Sequence, residues 1–151
     1  GDIKVPIYAE HPTSGLTPLI RAAEENVDAV GYTPIKNADG DEVLSVELLL
    51  DRERYRPKVD YENSFGHSAL SWAAVKERLV QMEALIKRGA DVNRVSGKKT
   101  GGATPLILAA KHGKKESTRL LLESGSDPAI KDSAGLTALD WANKSNHVDT
   151  V

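Results

Sequence analysis

The sequence contains no cysteine, and only 5% of its 151 residues are aromatic. The absence of cysteine excludes a disulfide framework, a zinc site with cysteine ligands and a cysteine nucleophile. With so few aromatic rings, the hydrophobic core must be built from aliphatic side chains. No apolar run approaches the roughly 20 residues that a membrane-spanning helix needs. We expect an intracellular chain, cytoplasmic or nuclear, with no membrane association.

The chain also lacks a large excess of either charge. It has 20 Lys+Arg against 22 Asp+Glu, a formal net charge of -2. A nucleic-acid-binding domain is usually strongly basic, so we expect no nucleic-acid partner. The length and the 40% of hydrophobic residues are those of one globular domain of ordinary size.

A short string recurs four times along the chain. It starts with glycine, has Thr or Ser at the third position and Leu at the fifth. The copies are Gly15–Leu19, Gly66–Leu70, Gly102–Leu106 and Gly135–Leu139. Successive glycines are 51, 36 and 33 residues apart. A leucine-rich segment follows at a constant distance, because Leu85 and Leu121 each lie 19 residues after the glycine of their own copy.

This string and its spacing resemble the ankyrin repeat, which has about 33 residues and a T-P-L-H-x-A motif. The resemblance covers residues 15–151. It implies an all-α solenoid of about four helix-turn-helix units with β-turn fingers, the last unit incomplete. One departure is that the motif histidine is absent from every copy, which we expect to cost stability more than function. Its replacements are Ile20, Ser71, Ile107 and Asp140.

Local residue preferences favour the same helices. The Thr or Ser of each copy suits a helix N-cap, and Pro18 and Pro105 suit the first helical position. Alanine pairs let a second helix pack closely. Gly89 and Gly125 stand where a helix ends on a left-handed residue. The predicted helices span about 17–26, 43–51, 68–76, 79–88, 104–112 and 115–124, and a last one starts at Thr137.

The repeats divide the chain unevenly. Residues 1–14 form a lead-in or the remnant of a preceding repeat. The repeats lie near 15–65, 66–101, 102–134 and, incomplete, 135–151. An insertion at about 27–43 separates the two helices of the first repeat. A rival register starts that repeat at Gly31, but its first helix would then be Lys36–Gly40, which is poor helix material.

No segment carries the residues of a catalytic or metal site. Residues 96–102 resemble a phosphate-binding loop, but Val92 occupies the position of the first glycine. Residues 35–46 resemble a calcium loop, but Ile35 and Val46 occupy its first and twelfth ligand positions. No histidine has a His, Asp or Glu partner at metal spacing. We therefore expect no enzymatic activity, no metal and no cofactor.

Charge is locally uneven. Residues 24–53 have a net charge of -7, and residues 94–115 have a net charge of +6. The resemblance places both runs beside the concave surface that ankyrin repeats use for partners. Trp72 and Trp141 occupy equivalent positions and either pack between helices or, in the case of Trp72, anchor a partner. The candidate partner-binding residues are Phe65, His67, Trp72, Lys76, Arg94, Lys98, Lys99, Lys111, His112 and Lys144.

These features predict a non-catalytic protein-interaction module, monomeric as an isolated domain, whose protein partner presents an acidic patch. One alternative is an array that regulates or positions the other domains of a larger protein. Another is a sensor of a small phosphorylated ligand, held by Trp72 with Lys76, Lys111 and Arg94.

Overall fold

The computed structural model of the protein describes Ile20, Ala23, residues 59–147 and Thr150. Between residues 59 and 147 the chain forms five α-helices and no β-strand. The helices are α1 (Ala69–Lys76), α2 (Leu79–Lys87), α3 (Pro105–Lys111), α4 (Lys115–Glu123) and α5 (Ala138–Lys144). A short 3₁₀ helix, Lys98–Thr100, lies between α2 and α3. This architecture confirms the expected all-α fold.

Side-chain caps start α1, α3 and α5, the first helices of the three repeats whose helix starts the structure describes. Ser68 Oγ accepts a hydrogen bond from the Ser71 N–H, and Ser71 Oγ accepts one from the Ser68 N–H, so the two form a capping box. Thr137 and Asp140 form the same arrangement at α5. Such reciprocal bonds satisfy N–H groups that have no partner inside the helix. Two of the residues that replace the motif histidine therefore contribute hydrogen bonds of their own.

Alanines occupy the closest contacts of the stack. Helix α3 packs against α1, α4 and α5, and α1 also packs against α2. Ala73, Ala74, Ala109 and Ala110 are each 0% exposed. Larger aliphatic side chains fill the space around them, and Ile20 and Ala23 belong to the same core. The core is therefore continuous across the repeats, as an array of units that cannot bury their apolar faces alone requires.

Hydrogen bonds between loops link each repeat to the next. The Asp91 N–H donates to Asp60 Oδ1 (3.0 Å). One repeat further on, the Asp127 N–H donates to Asn93 Oδ1 (2.7 Å). The fingers also touch directly, because the Ser133 N–H donates to the Gly101 carbonyl (2.9 Å). These bonds hold neighbouring fingers in a fixed spacing.

The helices begin and end within one residue of their predicted positions wherever the structure describes them. Gly89 and Gly125 have φ values of 91° and 93°, which confirms the predicted left-handed residues after α2 and α4. The lead-in, the insertion at 27–43 and the helix predicted at 43–51 lie outside the described residues. Of the helix predicted at 17–26, Ile20 and Ala23 are described, and both are helical.

We expect Ala109→Leu to lower the free energy of unfolding by about 1–3 kcal/mol, because the added carbons have no space in a fully packed helix contact. The exposed Ala129→Leu is the matched control and should change stability by about 0.5 kcal/mol or less. Urea midpoints measure both variants. An unchanged midpoint for Ala109→Leu would contradict the close packing of α3.

Candidate partner-binding groove

A groove of about 790 Å³ runs between the fingers and the first helices of the repeats, α1, α3 and α5. The fingers supply one wall and the helices supply the floor and the other wall. Its lining residues are Phe65, His67, Trp72, Lys99, Thr100, Gly101, Ala103, Ile107, Leu108, Lys111, His112, Asp132, Ser133, Ala134 and Trp141. The groove lies where the resemblance to ankyrin repeats predicts a concave surface, between the fingers and the first helices.

The floor of the groove is apolar and follows the register of the repeats. Trp72, Leu108 and Trp141 occupy the same position of three successive first helices. Leu108 is buried, whereas both tryptophans are partly exposed. The two indole rings therefore stand on either side of a lower aliphatic centre, and both remain accessible to a partner.

Each of the three phenyl or indole rings that line the groove lies beneath a lysine ammonium group. Lys76 Nζ is 5.7 Å from the centroid of Trp72, and Lys99 Nζ is 5.9 Å from that of Phe65. Trp141 carries two such contacts, with Lys111 at 4.4 Å and Lys144 at 5.1 Å. Exposed cation–π contacts contribute about 0.5–1 kcal/mol each. Their larger effect here is to hold positive charge at the rim.

One carboxylate lies inside this basic surface. Asp132 Oδ1 accepts the N–H groups of Ala134 and Leu136, and Asp132 Oδ2 accepts the indole N–H of Trp141 (2.6 Å). Burial acts to raise the pKa of Asp132, but the hydrogen bonds from Leu136, Trp141 and Ala134 outweigh it. With the nearby Lys111 charge, they hold this pKa below its ordinary value. Asp132 is therefore ionised, and its two oxygens are bonded to its finger turn and to Trp141 of α5.

Each such finger turn packs with the repeat whose first helix follows it, so Asp132 acts in the fourth repeat; in the second repeat the equivalent residue is Asn63. Asn63 Oδ1 accepts the N–H groups of Phe65 and His67, the same two turn positions that Asp132 holds. Trp72 follows Asn63 by nine residues, as Trp141 follows Asp132. Yet the Trp72 indole nitrogen is buried and has no hydrogen-bond partner in the structure. The two ends of the groove thus share a backbone geometry but differ in charge.

The histidines of the groove favour the neutral form. His67 lies edge-on to Trp72, with ring centroids 5.1 Å apart, and its Nδ1 is 3.2 Å from Ser71 Oγ. Burial lowers the pKa of His67, and the charge of His112 lowers it further. For His112, burial again comes first, followed by Lys111, Lys114 and His147, and all of them lower its pKa.

Six of the ten predicted site residues line the groove: Phe65, His67, Trp72, Lys99, Lys111 and His112. Lys76 and Lys144 stand at its rim through their contacts with the tryptophans.

The structure places Lys98 and Arg94 away from the lining. Arg94 Nε lies 3.4 Å from Glu62 Oε1, close enough for an ion pair but not aligned as a hydrogen bond. Lys98 starts the 3₁₀ helix and is exposed.

Two residues that line the groove, Asp132 and Trp141, were not predicted from the sequence. For Trp141, its equivalence to Trp72 was a signal that could have identified it. Asp132 gave none, because an aspartate is common in turns.

Residues 59–147 contain no cluster of three His, Cys, Asp or Glu side chains that could hold a metal ion. No helix in this part of the chain has the length and hydrophobicity to cross a lipid bilayer.

Comparison with known proteins agrees with this geometry. Residues 95–151 match the family described as ankyrin repeats in three copies. The chain is 35% identical to the palmitoyltransferase AKR1 of Lachancea kluyveri over 110 residues, which are 73% of this chain and 15% of that protein. It is 34% identical over 92 residues to the ankyrin repeat and SAM domain-containing protein 6 of Rattus norvegicus, covering 61% of this chain and 10% of that protein.

A viral relative is covered to a larger extent. The chain is 29% identical over 111 residues to the IkB-like protein of African swine fever virus, covering 70% of this chain and 47% of the relative. Stacked helix pairs joined by finger loops define a class of repeat proteins, the helical solenoids. Within that class, the chain is an ankyrin-repeat protein. It spans less than half the length of each of these three relatives, so their activities are not transferred to it.

The lowered pKa of His67 predicts how stability depends on pH. The unfolded chain binds a proton near pH 6.5, whereas the folded chain binds it only at lower pH. Stability is therefore fully present above about pH 6.5 and is lost as the pH falls through the folded-state pKa. The difference between the urea midpoints at pH 7.5 and pH 5 should be smaller for His67→Leu than for the wild-type protein. Leucine is chosen because Leu136 occupies the equivalent position in the fourth repeat. An equal difference in both proteins would contradict a contribution from His67.

Proposed function

We propose that this chain is a non-catalytic protein-interaction module that binds an acidic segment of a partner protein in the groove. The observation that carries the proposal is the pairing of apolar and positive groups along one concave surface: Phe65, Trp72 and Trp141 each lie beneath a lysine. Aromatic rings supply buried area at low entropic cost, and lysines favour partner carboxylates.

The charge of the groove supports an acidic ligand. Two lysines, Lys99 and Lys111, and one carboxylate, Asp132, line the groove. Lys76 and Lys144 add positive charge at the rim. The carboxylate of Asp132 is already occupied by three donors. The side chains of Lys99, Lys111 and Lys144 are exposed, so their ammonium groups remain accessible to a partner.

The rigidity of the surface supports a binding role as well. The helices that carry the tryptophans are capped and packed through fully buried alanines, and the fingers are linked to each other by hydrogen bonds. A preformed surface loses little conformational entropy on association. Affinity then depends on the few residues that a partner contacts directly.

We infer that the module acts inside the cell. We also infer that it is part of a larger protein, whose other domains it positions. The second inference is supported by the small share of the relatives that the chain covers, 15% and 10% of the first two. The small phosphorylated ligand receives less support, because Arg94 faces Glu62 instead of the groove.

Adjacent lysines of one finger provide the test. Lys99→Ala should weaken binding of a labelled peptide with alternating glutamates about two- to fivefold, because an exposed ion pair contributes up to about 1 kcal/mol. Lys98→Ala removes the same charge next to it but not from the groove lining, so it should have a smaller effect. Fluorescence anisotropy at low and at physiological salt measures both variants.

The peptide with glutamine in place of glutamate is the ligand control. Preference of the wild-type protein for the glutamate peptide supports the proposed function. Equal affinity for both peptides, or equal losses for Lys98→Ala and Lys99→Ala, would contradict an acidic segment in this groove.

A further inference from the structure

The second and fourth repeats solve the same local problem with different residues. In both, a side-chain oxygen closes the finger turn by accepting two backbone N–H groups: from Phe65 and His67 to Asn63, and from Ala134 and Leu136 to Asp132. A tryptophan follows nine residues later in both. The two sites can therefore be compared atom by atom.

The second side-chain atom makes the difference. In the fourth repeat this atom is Asp132 Oδ2, which accepts the indole N–H of Trp141 at 2.6 Å. In the second repeat the two backbone donors identify the turn-closing atom of Asn63 as Oδ1, so the remaining atom is the amide nitrogen. An amide nitrogen donates and cannot accept. By the equivalence of the two turns, this nitrogen takes the place of Asp132 Oδ2, and the buried indole nitrogen of Trp72 has no hydrogen-bond partner.

This arrangement costs stability, because a buried donor without an acceptor loses its hydration without compensation. An aspartate at position 63 would remove the cost, as Asp132 does in the fourth repeat. The same aspartate would also place a negative charge beside Trp72, His67 and Lys99. As the chain stands, that end of the groove has no carboxylate among its described lining residues.

We propose that Asn63 determines the specificity of the groove for acidic partners. By withholding from Trp72 the carboxylate that Asp132 gives to Trp141, it keeps the end formed by Phe65, His67, Trp72 and Lys99 positive. This inference rests on the proposed function. It adds that one end of the groove receives the partner's carboxylates, while at the other end Asp132 already offsets part of the charge of Lys111 and Lys144.

The test compares Asn63→Asp with the reciprocal Asp132→Asn. Lys87→Gln on α2 is the control, because it changes the net charge by the same amount as Asn63→Asp but lies outside the groove lining. Asn63→Asp should raise the melting temperature by about 2–4 °C. It should also weaken binding of the glutamate peptide about two- to fivefold, beyond any effect of Lys87→Gln. The glutamine peptide should bind Asn63→Asp and the wild-type protein with equal affinity.

Asp132→Asn should behave in the opposite way. It should lower the melting temperature, because it leaves the Trp141 indole without its acceptor, and bind the glutamate peptide more tightly than the wild-type protein does. This reciprocal variant keeps the proposal testable if Asn63→Asp folds poorly.

The chain has two tryptophans, so the indole N–H signals in an NMR spectrum report on each site separately. In the wild-type protein, the Trp141 signal should shift as Asp132 is protonated at acidic pH, whereas the Trp72 signal should respond only to the neighbouring His67. In Asn63→Asp, the Trp72 signal should show an additional shift with the pH dependence of a carboxyl group. A Trp72 signal that lacks this additional shift would overturn the proposed hydrogen-bond geometry.

The outcomes also separate the two levels of the proposal. If the wild-type protein prefers the glutamate peptide but Asn63→Asp binds it no more weakly than Lys87→Gln does, the role of Asn63 is overturned and the proposed function stands. If the wild-type protein does not distinguish the two peptides, the proposed function fails, and the role of Asn63 in binding fails with it.

Discussion

Close packing of alanines at the centre of the stack determines where every residue of the groove lies. Ala73 and Ala74 of α1, and Ala109 and Ala110 of α3, are completely buried. With no side-chain atom beyond Cβ, they allow neighbouring helices to approach closely. Residues at equivalent positions of α1, α3 and α5 consequently form a row. The spacing between the two indole rings of the groove is thus set by the smallest side chains in the core.

The finger turns connect this packing to the chemistry of the groove. Asn63 and Asp132 each fix a finger by accepting two backbone N–H groups, so the position of these side chains is dictated by the turn. Asp132 also accepts the indole N–H of Trp141 from the helix that follows. A residue required by local backbone geometry therefore also decides whether an indole is hydrogen-bonded and whether one end of the groove carries a negative charge.

The helices were predictable from the sequence because their signals are local. Thr104 before Pro105 places the start of α3 to within a residue, since a cap and a missing N–H act only on their own turn. The register of the repeats likewise placed Trp72 and Lys111 on the concave side. It could not separate Lys98 from Lys99, because the 3₁₀ turn that orients them is not part of the repeat. The contact between Arg94 and Glu62 joins residues 32 positions apart, which no local pattern reveals.

Two unfavourable local interactions lie at one end of the groove. Trp72 has a buried N–H without an acceptor, and burial beside Trp72 makes it costly for His67 to carry a charge. At the other end, the Trp141 indole and the Asp132 carboxylate satisfy each other. In a repeat array, each unit is also stabilised by its interfaces with its neighbours, so the core contacts of α1 with α2 and α3 can compensate for a local cost near Trp72. An acidic ligand would supply the carboxylate that the Trp72 end of the groove lacks. This agrees with a binding role centred on the second repeat.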